Sequence, residues 1–177
     1  MSNNIPLFTG IDSKYIFIDN LDITRLTNLS HFFAECSAEK IILKNFNTRN
    51  VTTMNEMFGY CNNLRSVNIE EFNTSSLISV PNMFLDCKCL LEVDLNNWDV
   101  NNLLNIEGMF CGCISLETLR IDKWNTPNLR DMTYFIDDCK NLRKINLGFL
   151  KEAKHIYVRQ VLNSIKKSNT GLKIEGL

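Results

Sequence analysis

Three observations predict a right-handed α/β solenoid with a parallel sheet along one face and short helical segments along the other. Cys36, Cys61, Cys87, Cys113 and Cys139 follow one another at 25, 26, 26 and 26 residues. Leu21, Phe46, Phe72, Trp98, Trp124 and Leu150 keep the same step. Once in every repeat the apolar pattern switches from a period of two to a near-helical one. A unit of this size cannot bury its apolar edge alone, whereas stacked units share one continuous core.

The array opens at Lys14, where Lys14 to Leu21 aligns without a gap on Arg65 to Phe72. Residues 1–13 lack the pattern and are expected to form an N-terminal cap. Strands are expected at the alternating pairs Ile16/Ile18, Ile41/Leu43, Val67/Ile69, Val93/Leu95, Leu119/Ile121 and Ile145/Leu147, with a weaker seventh at Leu172/Ile174. One strand per repeat in a constant direction requires a crossover each time, hence parallel pairing. The crossovers carry sets such as Val51, Met54, Met57, Phe58 and Cys61, spaced as one face of a helix or a helical turn series. The repeats run over 14–147. Beyond them, residues 148–177 predict a capping helix, with Phe149, Leu150, Ala153, Ile156, Tyr157, Leu162 and Ile165 on its apolar side, Lys166 and Lys167 in its last turn and Gly171 past its end, before the last strand. The whole chain, 1–177, reads as one solenoid domain.

Composition narrows the function. Nineteen basic and 20 acidic side chains leave a net charge of −1 with no basic stripe, which argues against nucleic acid as a partner. No apolar run approaches the ~18 residues needed to cross a bilayer, so membrane insertion is not expected. The opening residues show no export signal. His31 and His155 are the two histidines and neither sits in a nucleophile or metal motif, so no catalytic residue and no cofactor is assigned and the chain reads as non-enzymatic. Seven cysteines, most at the repeat period, read as buried free thiols. Cys87, Cys89, Cys111 and Cys113 form two C-x-C pairs on adjacent units; a thiol-redox or zinc site there is the weakest of three functional readings, because structural zinc prefers C-x2-4-C.

The segment Val51 to Thr74, V-T-x-M-x-x-M-F-x-x-C-x-x-L-x-x-V-x-I-x-x-F-N-T, resembles the 26-residue repeat of BspA-like leucine-rich-repeat surface proteins, over residues 14 to about 150. The resemblance implies a leucine-rich-repeat-like superhelix and a cell-surface or secreted interaction protein. The chain departs from it in showing no leader, lipobox or sorting tail, a pattern shared with cytoplasmic proteins. A structural or adhesive surface role is the second functional reading.

The first reading, binding of a protein partner, rests on the outward side of the sheet. With Val67 and Ile69 inward, Ser66, Asn68 and Glu70 face out, and their equivalents form columns. One column runs Phe17, Ile42, Asn68, Asp94, Arg120, Asn146, Lys173; its neighbour runs Tyr15, Lys40, Ser66, Glu92, Thr118, Lys144. Tyr15, Phe17 and Ile42 make one end apolar, as an interface anchor beside a polar rim would be. The competing expectation is that Ile5, Leu7, Phe8 and Ile11 fold over those three. The column Asp22, Asn47, Asn73, Asp99, Asn125 is expected to bond backbone where the chain leaves each strand, and Trp98 and Trp124 are expected in the core.

Overall fold

A computed structural model describes residues 7–152 and 158–177. The chain is a parallel β-solenoid of about six turns with little helix. Seven short strands mark its coils: β1 (Tyr15–Asp19), β2 (Lys40–Lys44), β3 (Ser66–Val67), β4 (Glu92–Asp94), β5 (Thr118–Arg120), β6 (Lys144–Asn146) and β7 (Lys173–Glu175). The register is the expected one where β1 pairs with β2, β2 with β3 and β4 with β5. Phe17 pairs with Ile42, Ile41 with Val67 and Asp94 with Arg120.

Two features of the sheet differ from expectation. It is broken into β1-β2-β3, β4-β5 and β6-β7. Side chains take over backbone partners near the first break: the Asn68 amide accepts from Leu43 N (2.7 Å) and donates to Leu43 O (2.9 Å), and the Trp98 indole donates to Ile69 O (3.0 Å). The last strand is also shifted by two residues. Ile174 lies opposite Ile145 and Glu175 opposite Asn146, so Lys173 stands beside Lys144 and outside the Phe17 column.

The opposite face is not helical. Each crossover is a run of turns, because two positions four residues apart take left-handed backbone: His31 and Glu35, Glu56 and Tyr60, Asn82 and Asp86, Gly108 and Gly112, Tyr134 and Asp138. A right-handed helix cannot pass through such residues. Their polar groups are satisfied between coils instead. Leu29, His31, Phe33 and Glu35 donate their N–H groups to the carbonyls of Thr53, Asn55, Met57 and Gly59 at 2.8–2.9 Å. The next three coils repeat this, ending with Ile106, Gly108, Phe110 and Gly112 donating to Asp131, Thr133, Phe135 and Asp137. Isolated parallel bridges from Asn28 through Thr53, Ser79 and Asn105 to Asp131 run alongside. The solenoid is therefore held by two ladders, one of strands and one of turns.

Between them lies one core. Phe8, Phe33, Phe58, Phe84 and Phe110 stack at centroid separations of 5.2–5.4 Å. The cysteine column lies beside them, each thiol donating to a phenylalanine carbonyl of the preceding coil: Cys61 to Phe33, Cys87 to Phe58, Cys113 to Phe84, Cys139 to Phe110, at 3.0–3.1 Å. Trp98 and Trp124 are buried, as expected. The Asx residues Asp22, Asn47, Asn73 and Asp99 each accept the N–H two residues on, closing the turn after the strand.

Among the described residues the C-terminal cap holds a 3-10 helix, Gly148–Glu152, where the sequence predicts the start of an α-helix, and an α-helix, α1 (Val158–Ser168). Ala153, Ile156 and Tyr157 lie outside the described residues. From α1, Ile165 is buried while Val158, Val161 and Leu162 are partly buried against the last coil. Buried Asn169 ties the helix end to Ile136 O (2.9 Å).

Candidate functional site: the outward face of the sheet

The face is built from β1 upward, because every coil presents the same outward positions. Tyr15 is 62% and Phe17 59% exposed, and each has a lysine ammonium over its ring, Lys14 at 5.6 Å and Lys44 at 5.5 Å. Ile42, opposite Phe17 on β2, is half-buried. Residues 7–13 do not lie over these three side chains. Phe8 N and Gly10 N instead pair with Phe32 O and Ala34 O, extending the turn ladder, and the Phe8 ring sits on Phe32 and Phe33. Ile5 lies outside the described residues.

Further along the face the candidates divide by what holds them. Asn68 is half-buried and uses both ends of its amide on Leu43. Asn146 accepts from Gly148 N (2.9 Å), closing the turn after β6. These two serve the fold. Arg120 is exposed, with Asp94 at 3.8 Å and Glu92 at 3.9 Å, a loose ion cluster that a partner's charge can re-pair at little cost. At the far end Glu175 holds Lys144 and Lys173, both at 2.6 Å. Those two ammonium groups keep its carboxyl below the usual range, and it raises Lys144 in return.

A shallow hollow of about 370 Å³ opens where the sheet breaks between β3 and β4, lined by Arg65, Ser66, Leu91, Glu92, Glu117 and Thr118. The sequence signals it and the exposed Leu91 only through the end of the alternating pattern around Leu90 and Leu91. A second depression, about 160 Å³, lies between α1 and the last crossover.

Among the described residues no group of three or more His, Cys, Asp or Glu is placed to hold a metal ion. Cys87 and Cys113 are fully buried, and burial pushes both thiols up. Half-buried Cys111 is also raised, by burial and by Asp137, Asp138 and Asp86. His31 stands 3.5 Å from Glu56 on the exposed turn face. His155 lies outside the described residues, none of which form a helix long and apolar enough to cross a membrane.

The family described as "Mycoplasma protein of unknown function, DUF285" matches residues 6–90, 27–149 and 83–172, three overlapping spans that step along the repeat. No curated protein and no solved structure matches the chain.

Proposed function

We propose that the chain, which belongs to the DUF285 family, is a non-enzymatic module that binds a protein partner through the outward face of its sheet. The observation that carries this reading is the pair Tyr15 and Phe17, two large rings more than half exposed on a regular strand while every inward neighbour is core. Aromatic anchors of this kind dominate interface energetics, and a polar strip running away from them supplies a rim. Ile42 completes the anchor, and Asp94 and Arg120 are the charged rim residues, Arg120 the less committed of the two because Asp94 Oδ1 also accepts from Asn96 N (3.0 Å). We read the coil as a leucine-rich-repeat relative of the BspA-like surface repeat, on the strength of the Val51 to Thr74 pattern, the strand in each unit and the Asx turns at Asp22, Asn47, Asn73 and Asp99. That reading favours a partner met at a cell surface.

The test is capture by the immobilised full chain from its native cells, with the retained protein identified and its affinity remeasured in purified form. Phe17→Asp and Arg120→Glu should each weaken that affinity at least about tenfold, as loss of an anchor or reversal of a rim charge does. Circular dichroism should be unchanged. Undiminished affinity in both variants would sink the sheet-face reading.

A further inference from the structure

The turn ladder stops short at its C-terminal end. In four successive coils alternate N–H groups reach the carbonyls of the next coil. The equivalent donors of the last crossover begin with Met132 and Tyr134, and among the described residues neither N–H has an acceptor. Where a seventh coil would continue the ladder, the chain places α1, whose backbone is closed on itself. The depression described above lies in that gap, lined by Arg130, Met132, Tyr134, Asp137, Val161 and Ser164. Its volume of about 160 Å³ is an order of magnitude above the ~10–15 Å³ that one water needs.

We propose that this cavity is a second binding site, taking an extended peptide segment by its alternate carbonyl groups. The donors themselves argue for that ligand. Met132 and Tyr134 are two residues apart, the spacing with which Ile106 and Gly108 meet the carbonyls of Asp131 and Thr133 at 2.9 and 2.8 Å. A free anion fits less well: Asp131 and Asp137 oppose the single guanidinium of Arg130. Asp137 also offers an acceptor in the wall. Its Oδ2 takes the Ser164 hydroxyl at 3.0 Å, while its Oδ1 is buried with no partner among the described residues. Met132, Val161 and Ile165 give the site an apolar floor, and Tyr134, left-handed and 55% exposed, stands at its edge. This is strand addition carried out on a ladder of turns, and it stands independently of the sheet face.

Backbone amide NMR on the full chain tests it. Unliganded, the Met132 and Tyr134 amides should exchange at least about a hundredfold faster than the Gly108 and Phe84 amides, which are ladder donors. Exchange as slow as those donors would mean the groups are already satisfied and would overturn the proposal. N-acetyl-dileucinamide, whose acetyl and terminal carbonyls are two residues apart, should shift both amides saturably at millimolar concentration and slow their exchange. Acetate should not. Val161→Trp and Ser164→Trp should each fill the cavity and abolish the shifts, with the Phe58 and Phe84 ladder amides unmoved as proof of fold. No saturable shift, an equal response to acetate, or a shift that survives both tryptophans would each refute it.

Discussion

Asn68 is the sharpest place to perturb this molecule, because it looks like a surface residue in the sequence and acts as part of the backbone in the fold. Its amide bonds Leu43 N at 2.7 Å and Leu43 O at 2.9 Å, and Leu43 is only 4% exposed. Asn68→Ala removes two hydrogen bonds and strands a buried N–H and C=O. At ~1–3 kcal/mol for an unsatisfied buried group, offset by partial water entry, the loss is about 2–4 kcal/mol. For a chain of this length that lowers Tm by roughly 5–15 °C. Asn68→Asp makes the sign visible. A carboxylate can accept from Leu43 N but repels Leu43 O, whereas the protonated acid can donate to it. The folded state thus raises that carboxyl's pKa above its unfolded value, so the stabilisation is present below the unfolded pKa and lost as pH rises through the folded one. Urea unfolding followed by circular dichroism at pH 4 and pH 7 measures both effects. A change below about 0.5 kcal/mol for Asn68→Ala, or an Asp variant more stable at pH 7 than at pH 4 relative to the parent, would refute the reasoning.

Four further outcomes are expected. Under native, reducing-agent-free conditions a thiol reagent should label Cys89 and Cys111 and spare the five buried column cysteines, which should react only on unfolding; early labelling of Cys87 or Cys113 would contradict their burial. The same column makes stability pH-dependent. Thiols whose folded pKa is raised above the ordinary 9.0 contribute stability that is complete below that pH and is lost as pH climbs toward their folded values, so the urea midpoint should fall progressively above pH 9.0. Trp98→Phe should cost about 0.5–1.5 kcal/mol by removing the indole's bond to the Ile69 carbonyl, which keeps the Phe72 N–H (3.2 Å), whereas an unchanged melting curve would refute a net contribution from that bond. Gly108→Ala should destabilise by at least about 1–2 kcal/mol, since its φ is +56° and the new Cβ would stand 2.2 Å from Asn82 Oδ1; adding Asn82→Gly should recover only the steric part.

The strand side of the fold was legible because burial there depends on a period of two, and Ile16, Ile41, Val93, Leu119 and Ile145 all point inward as read. The turn side was misread because Met54, Met57, Phe58 and Cys61 are buried at helical spacing in a segment that is not a helix. Spacing reports which side chains face the core and says nothing about the sign of φ between them. A signal was present: Gly108 and Gly112 in one coil and Asn82 and Asp86 in another occupy the two left-handed positions. Glu56, Tyr60 and Tyr134 in the same columns hid it, being residues that adopt such backbone only when neighbouring coils enforce it. The register of β7 was lost for a related reason, since α1 replaces the crossover and the 26-residue ruler no longer applies. Of the candidate contact residues, Tyr15, Phe17 and Arg120 stand where alternation put them. The structural use of Asn68 and Asn146 was invisible, because a side chain that bonds backbone and one that faces solvent share the same parity.

The described inter-coil bonds join each coil only to its immediate neighbours, so among the described residues no tie spans the array. Drawn out by its two ends, it should yield one coil after another, each of about 26 residues releasing roughly 85–95 Å of contour at ~3.3–3.6 Å per residue. A filament tethered at one end and loaded at the other would then behave as an extensible shock absorber.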